Sequence, residues 1–259
     1  MDFSTIRAFI FDMDGVLWRD DQPIGNLPAI FARINDRGWK VTLATNNATL
    51  SVEQYLKKLK RLGVTLEAEQ IVNSAQAAGH YLSSRFPLGG SIYIIGEEGL
   101  LQTLRDYGFQ QAEEHVLAVV AGLDRQLTYE KLSKATQMIR SGALFIGTNP
   151  DRTFPTPSGL IPGAGAIVVA LEAASDVKPI IVGKPSPEMY CVALERMGTT
   201  AADTLVVGDR LETDIAGAQN IGCLSALVLS GVSTLEAAQS WKPSPDWIGP
   251  DLTALIEQL

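Results

Sequence analysis

The chain has 259 residues, 46% of them hydrophobic and 19% charged, with a net charge of −8. That length suits one large globular domain or two smaller ones. The acidic balance argues against a nucleic-acid or anionic-membrane partner, which would want a basic face, and no uncharged apolar stretch reaches the roughly 18 residues of a membrane-spanning helix.

Taken in chain order, short apolar runs alternate with helical patterns. The expected elements are a strand at 8–11, a helix at 27–37, a strand at 40–44 and helices at 52–62 and 75–85. There follow a strand at 91–95, a helix at 100–107, a strand at 116–120, a helix at 129–140, a strand at 143–146 and a helix at 164–174. The last expected elements are a strand at 180–182, a helix at 187–197, a strand at 204–207, a helix at 214–221 and a strand at 224–229. Continuous apolar strands separated by helices indicate an α/β protein, its parallel sheet covered on both faces in the doubly wound manner.

The first strand runs into Asp12-Met13-Asp14-Gly15-Val16-Leu17. Residues two apart in extended backbone point to one side, so Asp12 and Asp14 would share a pocket. Paired carboxylates repel unless a cation joins them or one keeps its proton, and both conditions suit phosphoryl chemistry. A polar turn ending the strand is the alternative. Three other strand ends carry chemistry: Thr45-Asn46-Asn47, Gly183-Lys184-Pro185 and Gly208-Asp209-Arg210, the last followed by Asp214. In open α/β sheets, ligands bind beyond such carboxyl ends. Taken singly, Thr45-Asn46-Asn47 could cap a helix, Lys184 could be a solvated turn residue, and Asp209 with Asp214 could be a turn and helix N-terminal charge.

The block 88–178 lacks such an ending until Thr148-Asn149-Pro150-Asp151, and Pro or Gly mark both of its edges, at Pro87, Gly89, Gly90 and Pro179. It reads as an insertion, residues 88–178, into a core made of 1–87 and 179–259. Asn149 and Asp151 could reach a polar substrate or form an Asx-type turn. Gly163 and Gly165 could open the helix at 164–174 or serve close packing, and Glu97-Glu98 reads as dipole complement at a helix start. Cys191 and Cys223, in no metal-like spacing, read as core thiols in a reduced, cytoplasmic protein, and Met1-Asp2 opens no evident signal peptide. His80 and His115 read as surface or core residues. A phosphate loop at Gly183-Lys184 fails, because Lys178 stands at its first Gly position and Pro185 replaces Ser/Thr.

Together the strings Phe11-Asp12-Met13-Asp14-Gly15-Val16-Leu17, Thr45-Asn46-Asn47, Val182-Gly183-Lys184-Pro185 and Val207-Gly208-Asp209-Arg210-Leu211-Glu212-Thr213-Asp214 resemble the haloacid dehalogenase superfamily. The nearest branch is subfamily IIA, with the p-nitrophenyl phosphatases, pyridoxal phosphatases and the phosphatase of the N-acetylglucosamine operon. The resemblance implies a Rossmann-like core with a large α/β cap at the insertion. It implies Asp12 as nucleophile and Asp14 as the acid and base. It assigns Mg²⁺ to Asp12, the Asp14 carbonyl and Asp209, with Asp214 orienting metal-bound water, and phosphate binding to Thr45, Asn46 and Lys184. The substrate would be a small phosphorylated metabolite, and the cap offers a surface for a homo-oligomer. A phosphotransferase or mutase is the competing enzyme reading. A phospho-accepting signalling domain is disfavoured by the i, i+2 acidic pair on one strand, and a silent binding protein by the full set of charged groups.

Overall fold

The computed structural model describes residues 5–156 and 159–259; the opening Met1-Asp2 lies outside the described residues. Contacts divide the chain into two compact units: Met1–Thr45, Val52–Val72 and Pro185–Leu259 form one, Asn46–Ser51 and Asn73–Lys184 the other. The second unit extends beyond residues 88–178 at both ends.

The first unit is built on a six-stranded sheet in the order Trp247–Gly249, Leu224–Val228, Thr204–Gly208, Ala8–Phe11, Lys40–Thr45, Ile71–Asn73. Ala8–Phe11 is wholly buried and runs parallel to both neighbours, with Phe11 opposite Val207 on one side and Leu43 on the other. A strand apolar at every position is what a sheet covered on both faces requires. The helix Leu27–Asp36 supplies one cover. Asn26 caps it by accepting from the Ala29 N–H, Pro28 occupies its first turn, and Leu27, Ile30, Phe31 and Ile34 form the buried stripe; the i, i+3, i+4 spacing puts them on one face. Phe31 meets Phe11 edge-on at 6.3 Å between ring centres. Fully burying each such ring contributes on the order of 1.5–3 kcal/mol.

The second unit carries its own parallel sheet, in the order Ile180–Ile181, Leu144–Gly147, Ala118–Ala121, Gly90–Ile95, Phe109–Gln111. The helices Tyr129–Arg140 and Ala164–Ser175 bury Ala135, Ile139, Ile167, Val168 and Leu171 against Ile95, Val119, Ala121 and Phe145. The helix Ser74–Arg85 begins with a reciprocal cap: Asn73 Oδ1 accepts from the Gln76 N–H, and Gln76 Oε1 accepts from the Asn73 N–H. Both units are therefore α/β, as expected.

Several elements were not anticipated. The strands Ile71–Asn73, Phe109–Gln111 and Trp247–Gly249 are three residues each, too short to show a period. The helices Leu235–Ser240 and Leu252–Gln258 follow Thr234 and Asp251, whose side chains cap them. The strand expected at 180–182 stops at Ile181. Cys223 is buried as expected, but Cys191 is exposed. The helix Pro187–Met197 buries Met189, Tyr190, Val192, Ala193 and Met197, and Cys191 lies on its other face. Among the described residues no helix is long and apolar enough to cross a membrane.

Candidate active site

In the first unit, the sheet register brings three of the motif-bearing strand ends to one edge. Phe11 pairs with Leu43 and Val207, so Asp12, Thr45 and Asp209 all follow at the carboxyl ends of adjacent strands. The Asp12 N–H donates to the Val207 carbonyl at 2.9 Å, prolonging the pairing by one residue. Carboxylate oxygens of Asp12, Asp209 and Asp214 lie within 4.8 Å of one another; Asp12 is half-buried and the other two are buried. Three carboxylates this close repel strongly unless protons or a cation intervene. An all-oxygen donor set suits a hard divalent ion such as Mg²⁺.

The backbone fixes these groups. Asp209 Oδ2 accepts from the Val232 N–H at 2.7 Å, and its carbonyl accepts from the Ser233 N–H at 3.0 Å. Asp214 lies in a π-helical turn, Leu211–Ile215, rather than opening an α-helix at 214 as expected. The Ile215 N–H reaches back to the Arg210 carbonyl, and the widened turn lets Asp214 Oδ2 accept from the Arg210 N–H at 3.1 Å. Such single turns recur at functional sites. Gly15 adopts φ +88°, and a Cβ there would stand 2.6 Å from Asp209 Oδ2, so this turn needs glycine for both conformation and space.

Asp14 does not join the carboxylate cluster through its side chain. Its Oδ1 accepts from the indole Nε1 of the fully buried Trp18 at 2.8 Å. The Gly15 N–H donates to the Trp18 carbonyl at 2.7 Å, closing the loop between them.

Asn46, Lys184, Asn149 and Asp151 belong to the second unit. Asn46 Oδ1 accepts from the Lys184 N–H at 2.7 Å, and its Nδ2 donates to the Lys184 carbonyl at 3.0 Å. The amide thus clamps both backbone groups of a buried lysine. A Cβ on Gly183 would stand 2.6 Å from Asn46 Oδ1, so glycine precedes the lysine for space. The Asn46 carbonyl accepts from Ser74 Oγ at 2.9 Å and from Asn149 Nδ2 at 3.3 Å. Asn149 Oδ1 accepts from the Asp151 N–H at 2.7 Å, forming the Asx-type turn. Gly165 lies against the Pro150 and Asp151 backbone, where a Cβ would collide; close packing is its role.

The profile described as haloacid dehalogenase-like hydrolase matches residues 9–110, and one described as HAD-hydrolase-like matches 181–255. The acid sugar phosphatase of Staphylococcus aureus is 37% identical over 254 residues, covering 98% of each chain. The chain belongs to the haloacid dehalogenase-like hydrolase family. Within it, the solved p-nitrophenyl phosphatase from Archaeoglobus fulgidus superimposes with a TM-score of 0.92 at 31% identity, covering 98% of this chain and 99% of that one. The glycerol phosphate phosphatase of Mycobacterium tuberculosis, solved in complex with magnesium, gives 0.91 at 34% identity, covering 98% of this chain and 77% of that one. These are subfamily IIA phosphatases, and the chain is a phosphate-monoester hydrolase of their family with the core-and-cap architecture.

Sequence reasoning passed over Trp18. An aromatic donor four residues after a carboxylate, in a chain segment closed by Gly15, was the available signal. The clamping role of the Asn46 side chain had no local signal, since its partner lies 138 residues away.

Proposed function

We propose that this protein is a Mg²⁺-dependent phosphatase for small phosphate monoesters, working through an aspartyl phosphate on Asp12. The candidates are sugar phosphates, glycerol phosphate, pyridoxal phosphate and phosphoglycolate, with p-nitrophenyl phosphate as a surrogate. The convergence of Asp12 and Asp209, at adjacent strand ends, with Asp214 from the turn that follows, and Asp14 two residues after Asp12, carries the reading. The magnesium in the mycobacterial relative and the sugar phosphatase name of the staphylococcal one support it.

Asp12 and Asp209, with the Asp14 carbonyl, would hold the Mg²⁺, and Asp214 would orient its water. When bound, the ion supplies positive charge to the phosphoryl oxygens and offsets the carboxylate repulsion. One Asp12 oxygen attacks phosphorus while the bond to the ester oxygen breaks, and Asp14 delivers its proton to that leaving oxygen. Asp14, now ionised, takes a proton from water as the water oxygen attacks phosphorus. Phosphate leaves and the Asp12 carboxylate is regenerated. Thr45 Oγ, the backbone N–H groups near Asn46, and Lys184 are assigned to the phosphoryl oxygens, where charge stabilisation carries most of the catalysis. Asp151 is assigned to substrate selection in the cap, and Asn149, whose amide makes the Asx-type turn and bonds the Asn46 carbonyl, to holding it in place. Two cysteines outside any disulfide suit a cytoplasmic protein.

The test is phosphate release from a panel of esters with and without Mg²⁺. Metal-dependent release that Asp12→Asn abolishes in folded protein is the expected result. Release that survives Asp12→Asn, or none from any ester, overturns the reading.

A further inference from the structure

We propose that Trp18, braced by Lys58, is a positioning residue that aims the Asp14 carboxyl at the leaving-group oxygen. The inference rests on the assignment of Asp14 as the acid.

Three observations within the first unit carry it. The indole Nε1 donates to Asp14 Oδ1 at 2.8 Å, although Trp18 is fully buried and Asp14 is exposed. An exposed carboxyl on a two-bond side chain would otherwise sample several rotamers. The segment between them is closed on itself: the Leu17 N–H donates to the Met13 carbonyl at 2.8 Å, and the Gly15 N–H to the Trp18 carbonyl at 2.7 Å. The indole therefore has little freedom to follow the carboxyl elsewhere. Finally, Lys58 Nζ stands 4.4 Å from the Trp18 ring centre. That ammonium is itself held, donating to the Asp20 carbonyl at 2.6 Å and pairing with Asp21 at 3.4 Å. A cation over the face of an indole is favourable, and here it fixes the ring plane that directs the N–H.

The chemical consequence is a division of labour between the two carboxyl oxygens. Indole engages Oδ1 as an acceptor, so the proton that Asp14 would deliver is assigned to Oδ2. A carboxyl whose orientation is fixed before substrate arrives is set up for transfer, which is where positioning lowers a barrier.

The experiment compares kcat/KM for glycerol phosphate and p-nitrophenyl phosphate in Trp18→Phe, Lys58→Met and Lys58→Arg. The parameter reports the step in which the ester bond breaks. Glycerol leaves as an alkoxide that needs the proton, whereas p-nitrophenolate leaves well without it. Because general acids contribute roughly 10²–10⁴-fold, Trp18→Phe is expected to lose about tenfold or more on glycerol phosphate and under about threefold on p-nitrophenyl phosphate. Lys58→Met should show the same selective loss in smaller measure, and Lys58→Arg should restore it. An equal loss on both esters, or none, in folded Trp18→Phe overturns the proposal. If Trp18→Phe does not fold, the Lys58 pair decides by the same criterion. Asp14→Asn separates the two levels: if it still cleaves glycerol phosphate at the native rate, the assignment of Asp14 fails rather than the role of Trp18.

Discussion

At the scale of single residues, environment decides what each side chain does. Cys191 and Cys223 were alike in sequence but not in the fold. Burial, then the Asp203 carboxylate and Cys191, push the Cys223 thiol from 9.0 up to about 12. In the unfolded chain the thiol ionises near its ordinary value, whereas the folded protein keeps the proton until much higher pH. The unfolded state thus binds fewer protons between about pH 9 and 12, and stability falls as pH rises through that window. Urea unfolding at pH 8 and pH 10 should show a larger loss in the native protein than in Cys223→Ala. Equal losses would contradict the assignment. Asp14 makes the same point by contact: two residues from Asp12, its carboxyl accepts from the Trp18 indole and lies outside the acidic cluster.

At the scale of elements, the strand ends govern the site. Asn46 follows a strand end, and its amide satisfies both backbone groups of Lys184. Asn46→Ala would remove both hydrogen bonds to this buried backbone, each worth roughly 1–3 kcal/mol. Chemical denaturation is expected to show a loss of about 2–6 kcal/mol for that variant. Asn46→Asp should not rescue it, because a carboxylate oxygen would face the Lys184 carbonyl. Stability within about 0.5 kcal/mol of native in both variants would count against the clamp. Elements of this kind also mark what was legible beforehand. Tyr129–Arg140 and Pro187–Met197 carry enough turns for their apolar period to show, and their ends coincide with expectation. Trp247–Gly249 offers too few residues for a period, and it is a strand only because Leu224–Val228 pairs with it. The π-turn at Leu211–Ile215 arises from hydrogen bonds back to Arg210, which no pattern of apolar residues encodes. The acidic motif was legible as a candidate site because the strand before it is wholly apolar. The partner of Asp14 was not, because Trp18 reads equally well as core.

At the scale of the whole molecule, the net charge of −8 and the convergence of Asp12, Asp209 and Asp214 act together. The fold concentrates like charge at the place where a cation is assigned, so part of the native stability should be conditional on that cation. A ligand that binds only the folded state stabilises by RT ln(1 + [L]/Kd), roughly 2.7 kcal/mol at a hundredfold excess over Kd. Mg²⁺ is therefore expected to raise the thermal midpoint of the native protein, with a saturable dependence on concentration. Asp209→Asn should shrink the shift. A midpoint indifferent to Mg²⁺ in the native protein would remove the metal from the proposed function.

The residue 73–184 stretch leaves and rejoins the rest of the chain at points that meet on Asn46: Ser74 bonds its carbonyl, and Lys184 bonds its amide. Asn46 belongs to the same compact unit as both ends, so this anchor closes that unit on itself and keeps its entry and exit together whatever lies between. Changes of length between Ser74 and Lys184 are therefore expected to leave the register of Ala8–Phe11 and Thr204–Gly208 alone, and with it the strand ends to which phosphoryl transfer is assigned.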